Sequence, residues 1–205
     1  MLFRSKKRPL DIIQAAQRLQ ITLQEKKIHL LWVGTGELGA ELRQTCHACF
    51  DALSQSAVYA PNSHNGPNAS FIGFLNQSEI NRAYVAADCL VLPSDAKETW
   101  GLVVNEAMAS GLPCVVSDAC GCAEDLVKPI RPDLCYPVGD ISALQRAMAA
   151  VITDTPPPQL LRSHISKYDA SKTIDAVERL YSERANANSN RTLGNGTLSS
   201  ADTHH

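Results

Sequence analysis

Residues 89–117 read CLVLPSDAKETWGLVVNEAMASGLPCVVS, and this stretch decides the fold. The apolar runs at 89–93 and 113–117 have the length and composition of buried strands. Residues 102–110 between them predict a helix, which Gly111 ends because glycine accepts the left-handed conformation that follows a helix C-terminus. A strand, a helix and a second strand in this order predict one parallel β-α-β unit.

The same alternation of strands and helices continues on both sides of this unit. Pro9 suits the start of a helix, and the apolar run HLLWV at 29–33 predicts a strand that leads into Gly34. The next helix is expected to bury Leu38, Leu42, Cys46 and Cys49 or Phe50. Further strands are predicted at 70–75 and 135–138, and further helices at 78–87, 141–152, 159–167 and 171–184. We therefore predict a doubly wound, Rossmann-like α/β fold with helices on both faces of a parallel sheet.

The domain and its ligand-binding edge follow from this fold class. One domain is predicted over 1–184, with a loop at 54–69 and a disordered polar tail at 185–205. Ligands bind outside the carboxyl ends of the strands in such sheets. The loops expected at that edge begin at Gly34, Leu75, Ser94 and Ser117.

Composition narrows the class of protein. With 205 residues, 44% hydrophobic and 20% charged, the chain resembles one globular domain. A net charge of -2 and an aromatic content of 5% argue against nucleic acid as a partner. The absence of a run of roughly 18 to 20 apolar residues, and of a signal-peptide core, predicts a cytoplasmic protein. Residues 1–27 carry a charge of +5, which indicates peripheral contact with an anionic membrane or ligand, or simply a solvated basic face.

The seven cysteines indicate reduced thiols, because their number is odd and they are spread through apparent core segments. Cys46 and Cys49 have the CxxC spacing of metal and redox sites, and Cys120 and Cys122 lie close to that spacing. No second CxxC or histidine pair completes a set of four ligands. We therefore expect neither a metal site nor a disulfide framework.

Two carboxylates flank the N-terminus of the helix predicted at 102–110. Glu98 lies in the preceding loop, Glu106 lies on the helix, and Gly101 stands where the helix begins. The unpaired amides and positive dipole end of such a terminus favour a phosphate, which the backbone of Gly101 can approach closely. Carboxylates repel a nearby phosphate unless they accept hydrogen bonds from hydroxyl groups of the same ligand. The pair of glutamates therefore indicates a phosphorylated sugar. Alternatively, both are ordinary acids of a first helical turn, which the dipole also favours.

The spacing of these glutamates resembles the E-x7-E motif of the retaining glycosyltransferases of family 4, which have the two-domain GT-B fold. The flanking pattern PS...E..G....EAMA.G.P.V.S is also similar, and the resemblance covers about residues 3–183. Other segments that resemble family motifs are Lys6-Lys7-Arg8-Pro9-Leu10, LLWVGTGEL at 30–38, FIGFLNQSEINRAYVAADCLVLPS at 71–94, and residues 116–124 and 138–140. The resemblance implies the C-terminal, donor-binding half of a GT-B fold.

The resemblance also implies a role for each matching residue. The catalytic residues would be Lys7, which would neutralise the diphosphate of a nucleotide sugar, and Glu98, which would contact the transferred sugar. Glu106 would bind the ribose hydroxyls. The backbone that binds sugar and phosphate would be that of Thr99, Trp100, Gly101 and Leu102. The base pocket would be bordered by Gly34, Gly36, Phe74 and Leu75. No cofactor or metal is expected, and the chain contains no Asp-x-Asp motif.

The sequence departs from the family pattern at its start. Leu2 stands where the family usually has a basic residue five positions before Lys7, and the resemblance within these 205 residues includes neither the family's preceding strand nor its N-terminal domain, which holds the acceptor site. We therefore expect transfer only with an N-terminal domain in the same or another chain. A second hypothesis is a non-catalytic nucleotide-sugar-binding module or a truncated fragment. A third is an unrelated dinucleotide-binding protein, since residues 34–39 read G-x-G-x-x-G, but no acidic residue is expected at the end of the following strand.

Overall fold

The strands run parallel in two three-stranded sheets, in a computed structural model that describes residues 3–23, 27–53, 66–96, 98–168, 174 and 177–184. The first sheet contains β1 (His29–Val33), β2 (His47–Asp51) and β3 (Asn68–Gly73), with β3 in the centre. The second contains β4 (Leu90–Leu92), β5 (Cys114–Ser117) and β6 (Cys135–Tyr136), with β5 in the centre. The predicted α/β class is confirmed, although the described strands form two sheets where one was expected.

The chain divides into two units, Met1–Ile165 and Ser166–His205. The α-helices described in the first unit are α1 (Pro9–Thr22), α2 (Gly39–Thr45), α3 (Ile80–Ala86), α4 (Leu102–Ala109), α5 (Ile141–Thr153) and α6 (Pro158–Ile165), and shorter helical turns lie at Ser5–Lys7, Ala123–Val127 and Pro132–Leu134. The second unit contains a 3-10 turn at Ser166–Tyr168 and helical residues at 177–184. The predicted tail at 185–205 and most of the predicted loop at 54–69 lie outside the described residues.

The β-α-β unit predicted over residues 89–117 is present as β4, α4 and β5. All four residues of β5 are buried, as expected for an apolar strand that is covered on both faces. Gly111 follows α4 with φ +85°, the left-handed conformation predicted for it. This unit places the loop at 98–101 at the carboxyl end of β4, where α/β folds bind ligands.

The N-terminal segment connects the two sheets at their carboxyl ends. Phe3 is 1% exposed and accepts a hydrogen bond from the Leu38 amide, while its own amide donates to Thr35 just after β1. Three residues later, the Lys6 carbonyl accepts from the Asp95 amide just after β4 across 2.9 Å. Lys7 is therefore held between the ends of β1 and β4.

The helix predicted to continue through Cys49 is wrong beyond Thr45. The chain forms β2 instead, which pairs in parallel with β3 at the edge of the first sheet. Cys46 is buried as expected, but Cys49 and Phe50 are exposed. Apolar residues four positions apart fit a helix face, but here the backbone hydrogen bonds of the strand ladder outweigh that weak preference.

The corrected strand also ends in an acidic residue, contrary to the expectation made for the dinucleotide-binding hypothesis. Asp51 is 8% exposed and forms an ion pair with Arg43, whose guanidinium carbon lies 4.6 Å from the centre of the Phe71 ring. The Leu53 amide donates to Asp51 Oδ1 across 3.0 Å. The Asp51 carboxylate is therefore used inside the fold and is not presented to a ribose.

Asp51→Asn is expected to lower the free energy of unfolding by about 2 to 3 kcal/mol at pH 7, because Arg43 would keep a charge without its partner. Burial raises the pKa of Asp51, but the hydrogen bonds from Arg43 and Leu53 outweigh burial, so the pKa lies below its ordinary value. The stabilisation is present above the unfolded-state pKa and is lost as the pH falls through the folded-state pKa. Urea unfolding at pH 7 and in the acid range should show both effects.

Asp133→Asn provides the matched control for this prediction. Asp133 also pairs with an arginine, Arg131, but its side chain is 50% exposed. Its loss should cost less than about 1 kcal/mol, since solvent screens exposed ion pairs. Equal losses in the two variants would contradict a special role for the Asp51 pair.

Candidate functional site

An ion pair between Lys7 and Glu98 forms the centre of the site. The side chains are 16% and 17% exposed, so both charges are largely removed from water. Lys7 is the last residue of the 3-10 turn Ser5–Lys7, and the Glu98 amide donates to the Asp95 carbonyl across 3.0 Å. The structure thus brings the two predicted catalytic residues into direct contact, although they are far apart in sequence.

Burial lowers the pKa of Lys7, and the neighbouring charge of Lys6 lowers it further. Asp95 and Cys120 act in the opposite direction. The Glu98 carboxylate in contact with the ammonium also favours its charged form. Lys7 is therefore a poorly hydrated cation whose charge a negative partner would stabilise.

The backbone after Lys7 is held in an unusual conformation. Arg8 has φ 45° and ψ 46°, a left-handed geometry that is uncommon for residues other than glycine. Its Nε donates to Asp11 Oδ2 across 2.7 Å, and Pro9 begins α1 directly after it. This turn fixes the direction in which the Lys7 side chain projects from the backbone.

Gly101 caps the N-terminus of α4 beside this ion pair. It is buried and has φ +102°, and a Cβ atom there would lie 3.0 Å from Leu92 and 3.3 Å from the Cys122 Sγ. No side chain among the described residues caps the eight-residue helix, so its first amides remain for water or a ligand. Glycine is therefore required here by conformation and by packing, and the resulting terminus suits an anion.

The other predicted residues of this loop differ in exposure. Thr99 is exposed, and Leu102 is 69% exposed. Trp100 is half-buried, and its indole N-H donates to Asn105 Oδ1 across 2.8 Å. The ring of Trp100 is thus anchored to α4, while the Thr99 and Leu102 side chains are accessible to a ligand.

A tight turn at residues 120–122 supports the loop from the other side. The Gly121 amide donates to the Glu98 carbonyl across 3.4 Å, and the Cys122 amide donates to the Trp100 carbonyl across 3.1 Å. A Cβ atom on Gly121 would overlap the Thr99 carbonyl group. The pattern of the sequence gave this turn no structural role, because its partners lie on a loop more than 20 positions away.

Glu106 projects from α4 and is exposed. The Tyr84 hydroxyl on α3 donates to its Oε2 across 2.7 Å. Tyr84 is not part of the predicted site, because a tyrosine within a short helix carries no sequence signal of a partner on the next helix. The contact joins α3 to the helix that carries the predicted ribose ligand.

The four residues predicted to border a base pocket are arranged as follows. Gly34 has φ +118°, and its amide donates to the Gly73 carbonyl across 2.6 Å, which places it beside the start of the Phe74 segment. Phe74 is 79% exposed and Leu75 is half-buried. A Cβ atom on Gly36 would overlap the backbone of Phe3, so glycine there is explained by packing. The base pocket stays a prediction.

Among the residues that the structure describes, no three His, Cys, Asp or Glu side chains are grouped as metal ligands. Cys46 is buried and Cys49 is exposed, and both are free thiols. Within the described ranges, no helix has the length and hydropathy needed to cross a bilayer.

Solved glycosyltransferases share this fold. The catalytic domain of cholesterol-alpha-glucosyltransferase from Helicobacter pylori is similar with a TM-score of 0.60 and 14% identity, over 82% of this chain and 96% of that chain. The pneumococcal O-GlcNAc transferase GtfA, solved with UDP and GlcNAc, is similar with a TM-score of 0.63 and 13% identity, over 89% and 34% of the chains. These likenesses establish the fold alone, which is the α/β fold of GT-B glycosyltransferases.

The chain belongs to the glycosyl transferases group 1 family, which matches residues 2–172. The 2-deoxystreptamine N-acetyl-D-glucosaminyltransferase of Streptomyces fradiae is 39% identical over 84 residues, covering 41% of this chain and 20% of that protein. The GDP-mannose-dependent alpha-mannosyltransferase of Mycobacterium tuberculosis is 43% identical over 74 residues, covering 36% and 19%. The matched segments thus span about a fifth of these relatives.

Proposed function

We propose that this chain is the C-terminal, donor-binding domain of a retaining glycosyltransferase of family 4, which transfers a hexose from a nucleoside-diphosphate sugar to an acceptor. The observation that carries the proposal is the Lys7–Glu98 pair beside the uncapped N-terminus of α4. A cation and helix amides suit a diphosphate, and a carboxylate suits sugar hydroxyls. The relatives that use GDP-mannose or transfer N-acetylglucosamine support this class of donor.

In this proposal, catalysis is stabilisation of the leaving group. As the bond between the sugar and the diphosphate breaks, negative charge grows on the departing phosphate oxygens. Lys7 and the first amides of α4 would stabilise that charge, while Glu98 would orient the sugar through its hydroxyls. The Lys7 ammonium must leave Glu98, at least in part, to reach a phosphate. No metal is required by this arrangement, and a cytoplasmic or membrane-peripheral location remains our expectation.

An N-terminal domain would supply the acceptor site, in the same chain or in a separate one. We therefore expect the 205-residue chain to bind nucleotide sugars but to transfer little or no sugar alone. The second candidate is a nucleotide-sugar-binding module without catalysis, which the pairing of Lys7 with Glu98 also allows. Transfer that appears on addition of an N-terminal GT-B domain would distinguish the enzyme from the module.

Glu106→Ala is expected to weaken the binding of the preferred nucleoside-diphosphate sugar by about tenfold or more, because a carboxylate that accepts two ribose hydroxyls would be lost. Calorimetric titration with UDP-, GDP- and ADP-sugars would measure the change and identify the base. Glu41→Ala removes an exposed glutamate from α2 and serves as the matched control. Equal affinity of Glu106→Ala and the unsubstituted chain would contradict the site assignment.

A further inference from the structure

The carboxylate of Glu106 is held by a donor from the protein core. Tyr84 is 7% exposed, whereas Glu106 is exposed on α4. The hydrogen bond between them joins the Tyr84 hydroxyl to Oε2 across 2.7 Å. In the described part of the chain, no protein donor is bonded to the other oxygen, Oε1. One oxygen is thus fixed by the protein, and the other is left to water or a ligand.

The tyrosine can only serve as the donor in this contact. Burial raises the pKa of Tyr84, and the hydrogen bond to Glu106 and its charge raise it further. The hydroxyl therefore keeps its proton across the physiological range, and it donates to a carboxylate that cannot donate in return.

A glutamate on a helix surface samples many rotamers when nothing binds it, and a ligand must then arrest them. The buried hydroxyl removes much of this freedom before any ligand arrives. Preorganisation of this kind increases affinity without a new contact to the ligand.

We propose that Tyr84 is a positioning residue, which holds Glu106 so that Oε1 accepts hydrogen bonds from the ribose hydroxyls of the donor nucleotide. The inference rests on the proposed function, which assigns the ribose to Glu106. It adds a residue on α3 to the donor site. Tyr84 acts only through Glu106 and does not touch the nucleotide.

The test is Tyr84→Phe in the full chain, with recognition of the ribose hydroxyls as the readout. Calorimetry would compare UDP, GDP and ADP with their 2′,3′-dideoxy analogues. For the base that binds best, the unsubstituted chain is expected to favour the ribonucleotide by about tenfold, and Glu106→Gln to lose that preference. Tyr84→Phe should reduce the preference to about twofold and leave the affinity for the dideoxy analogue unchanged. A merely structural defect would weaken both nucleotides alike.

Tyr136→Phe is the matched control for removing a buried phenolic hydroxyl. Tyr136 is 2% exposed, and its hydroxyl has no hydrogen-bond partner among the described residues. This variant is expected to keep the full preference for the ribonucleotide. An equal loss in Tyr136→Phe and Tyr84→Phe would overturn the proposal.

The outcomes separate this inference from the proposed function. A preference that survives in Glu106→Gln, or an unsubstituted chain that binds no nucleotide, would overturn the ribose site itself. A preference that disappears in Glu106→Gln but is complete in Tyr84→Phe would overturn the role of Tyr84 alone. The double variant Tyr84→Phe/Glu106→Gln should prefer the ribonucleotide over its dideoxy analogue no less than Glu106→Gln alone does. The shifts in Tm of the two single variants should not add in the double variant. Additive shifts would show that the hydrogen bond is absent in solution, which would also overturn the role.

Discussion

Lys7→Met is expected to weaken the binding of nucleoside diphosphates by about 100-fold. The substitution removes a largely buried cation, whose attraction to phosphate is strong because little water screens it. The Lys7 side chain is only 16% exposed and is directed by the 3-10 turn and by the left-handed Arg8. Methionine keeps an unbranched apolar stem, so that the change is mainly one of charge. Calorimetry with the preferred diphosphate would measure the loss.

The same substitution should lower the free energy of unfolding by about 2 to 3 kcal/mol, because Glu98 would remain as a largely buried charge without its partner. Adding Glu98→Gln to Lys7→Met is expected to restore most of this stability, since no unpaired charge remains. The double variant should not regain diphosphate binding. This combination separates the loss of the phosphate ligand from damage to the fold.

Lys6→Met is the control for total positive charge. Lys6 precedes Lys7 and carries the same charge, but it has no ion pair with Glu98. We expect its substitution to change diphosphate affinity by less than about threefold, as is usual for a screened charge near a site. Equal losses in the Lys6 and Lys7 variants would mean that a diffuse positive field binds the ligand.

The parts of the fold that the sequence predicted well are those set by local signals. Both strands and the helix of residues 89–117 were predicted to within two residues, because apolar runs bounded by Gly111 and polar loops leave few alternatives. The prediction of Glu98 and Gly101 at the N-terminus of that helix was also local. The residues that surround Glu98 and Gly101 in space are not predictable from local signals, and Lys7 is assigned to the site only by the family resemblance.

The failures share a physical cause, which is dependence on distant partners. Strand β2 exists because β3 offers it a parallel ladder, and its own residues fit a helix equally well. The packing of Gly36 against the backbone of Phe3 also depends on a distant partner, while its place at the border of the base pocket stays a prediction. Tyr84 carries no motif, since only the fold brings it to Glu106. A pattern within one segment does not contain such contacts.

Gly121→Ala is expected to lower the free energy of unfolding by about 3 kcal/mol or more and to abolish measurable donor binding. The added Cβ would overlap the Thr99 carbonyl oxygen and lie 3.0 Å from its carbon. Neither the turn at 120–122 nor the loop at 98–101 can move without losing hydrogen bonds, because the turn donates to the carbonyls of Glu98 and Trp100. The loop that carries Glu98 would have to shift, which would disturb the contact between Glu98 and Lys7. Chemical denaturation and calorimetric titration with the preferred nucleoside diphosphate would measure the two effects.

Gly73→Ala separates this overlap from the general cost of replacing a glycine. Gly73 has φ +78°, but a Cβ atom there would meet nothing within 4 Å. Its substitution should therefore cost only the conformational penalty of about 1 to 2 kcal/mol. Gly121 is not in the left-handed region, so its larger cost would be steric alone. If Gly121→Ala proved as stable as the unsubstituted chain, the close packing of residues 120–122 against the Glu98 loop would be refuted, and the Lys7–Glu98 geometry would lose its support.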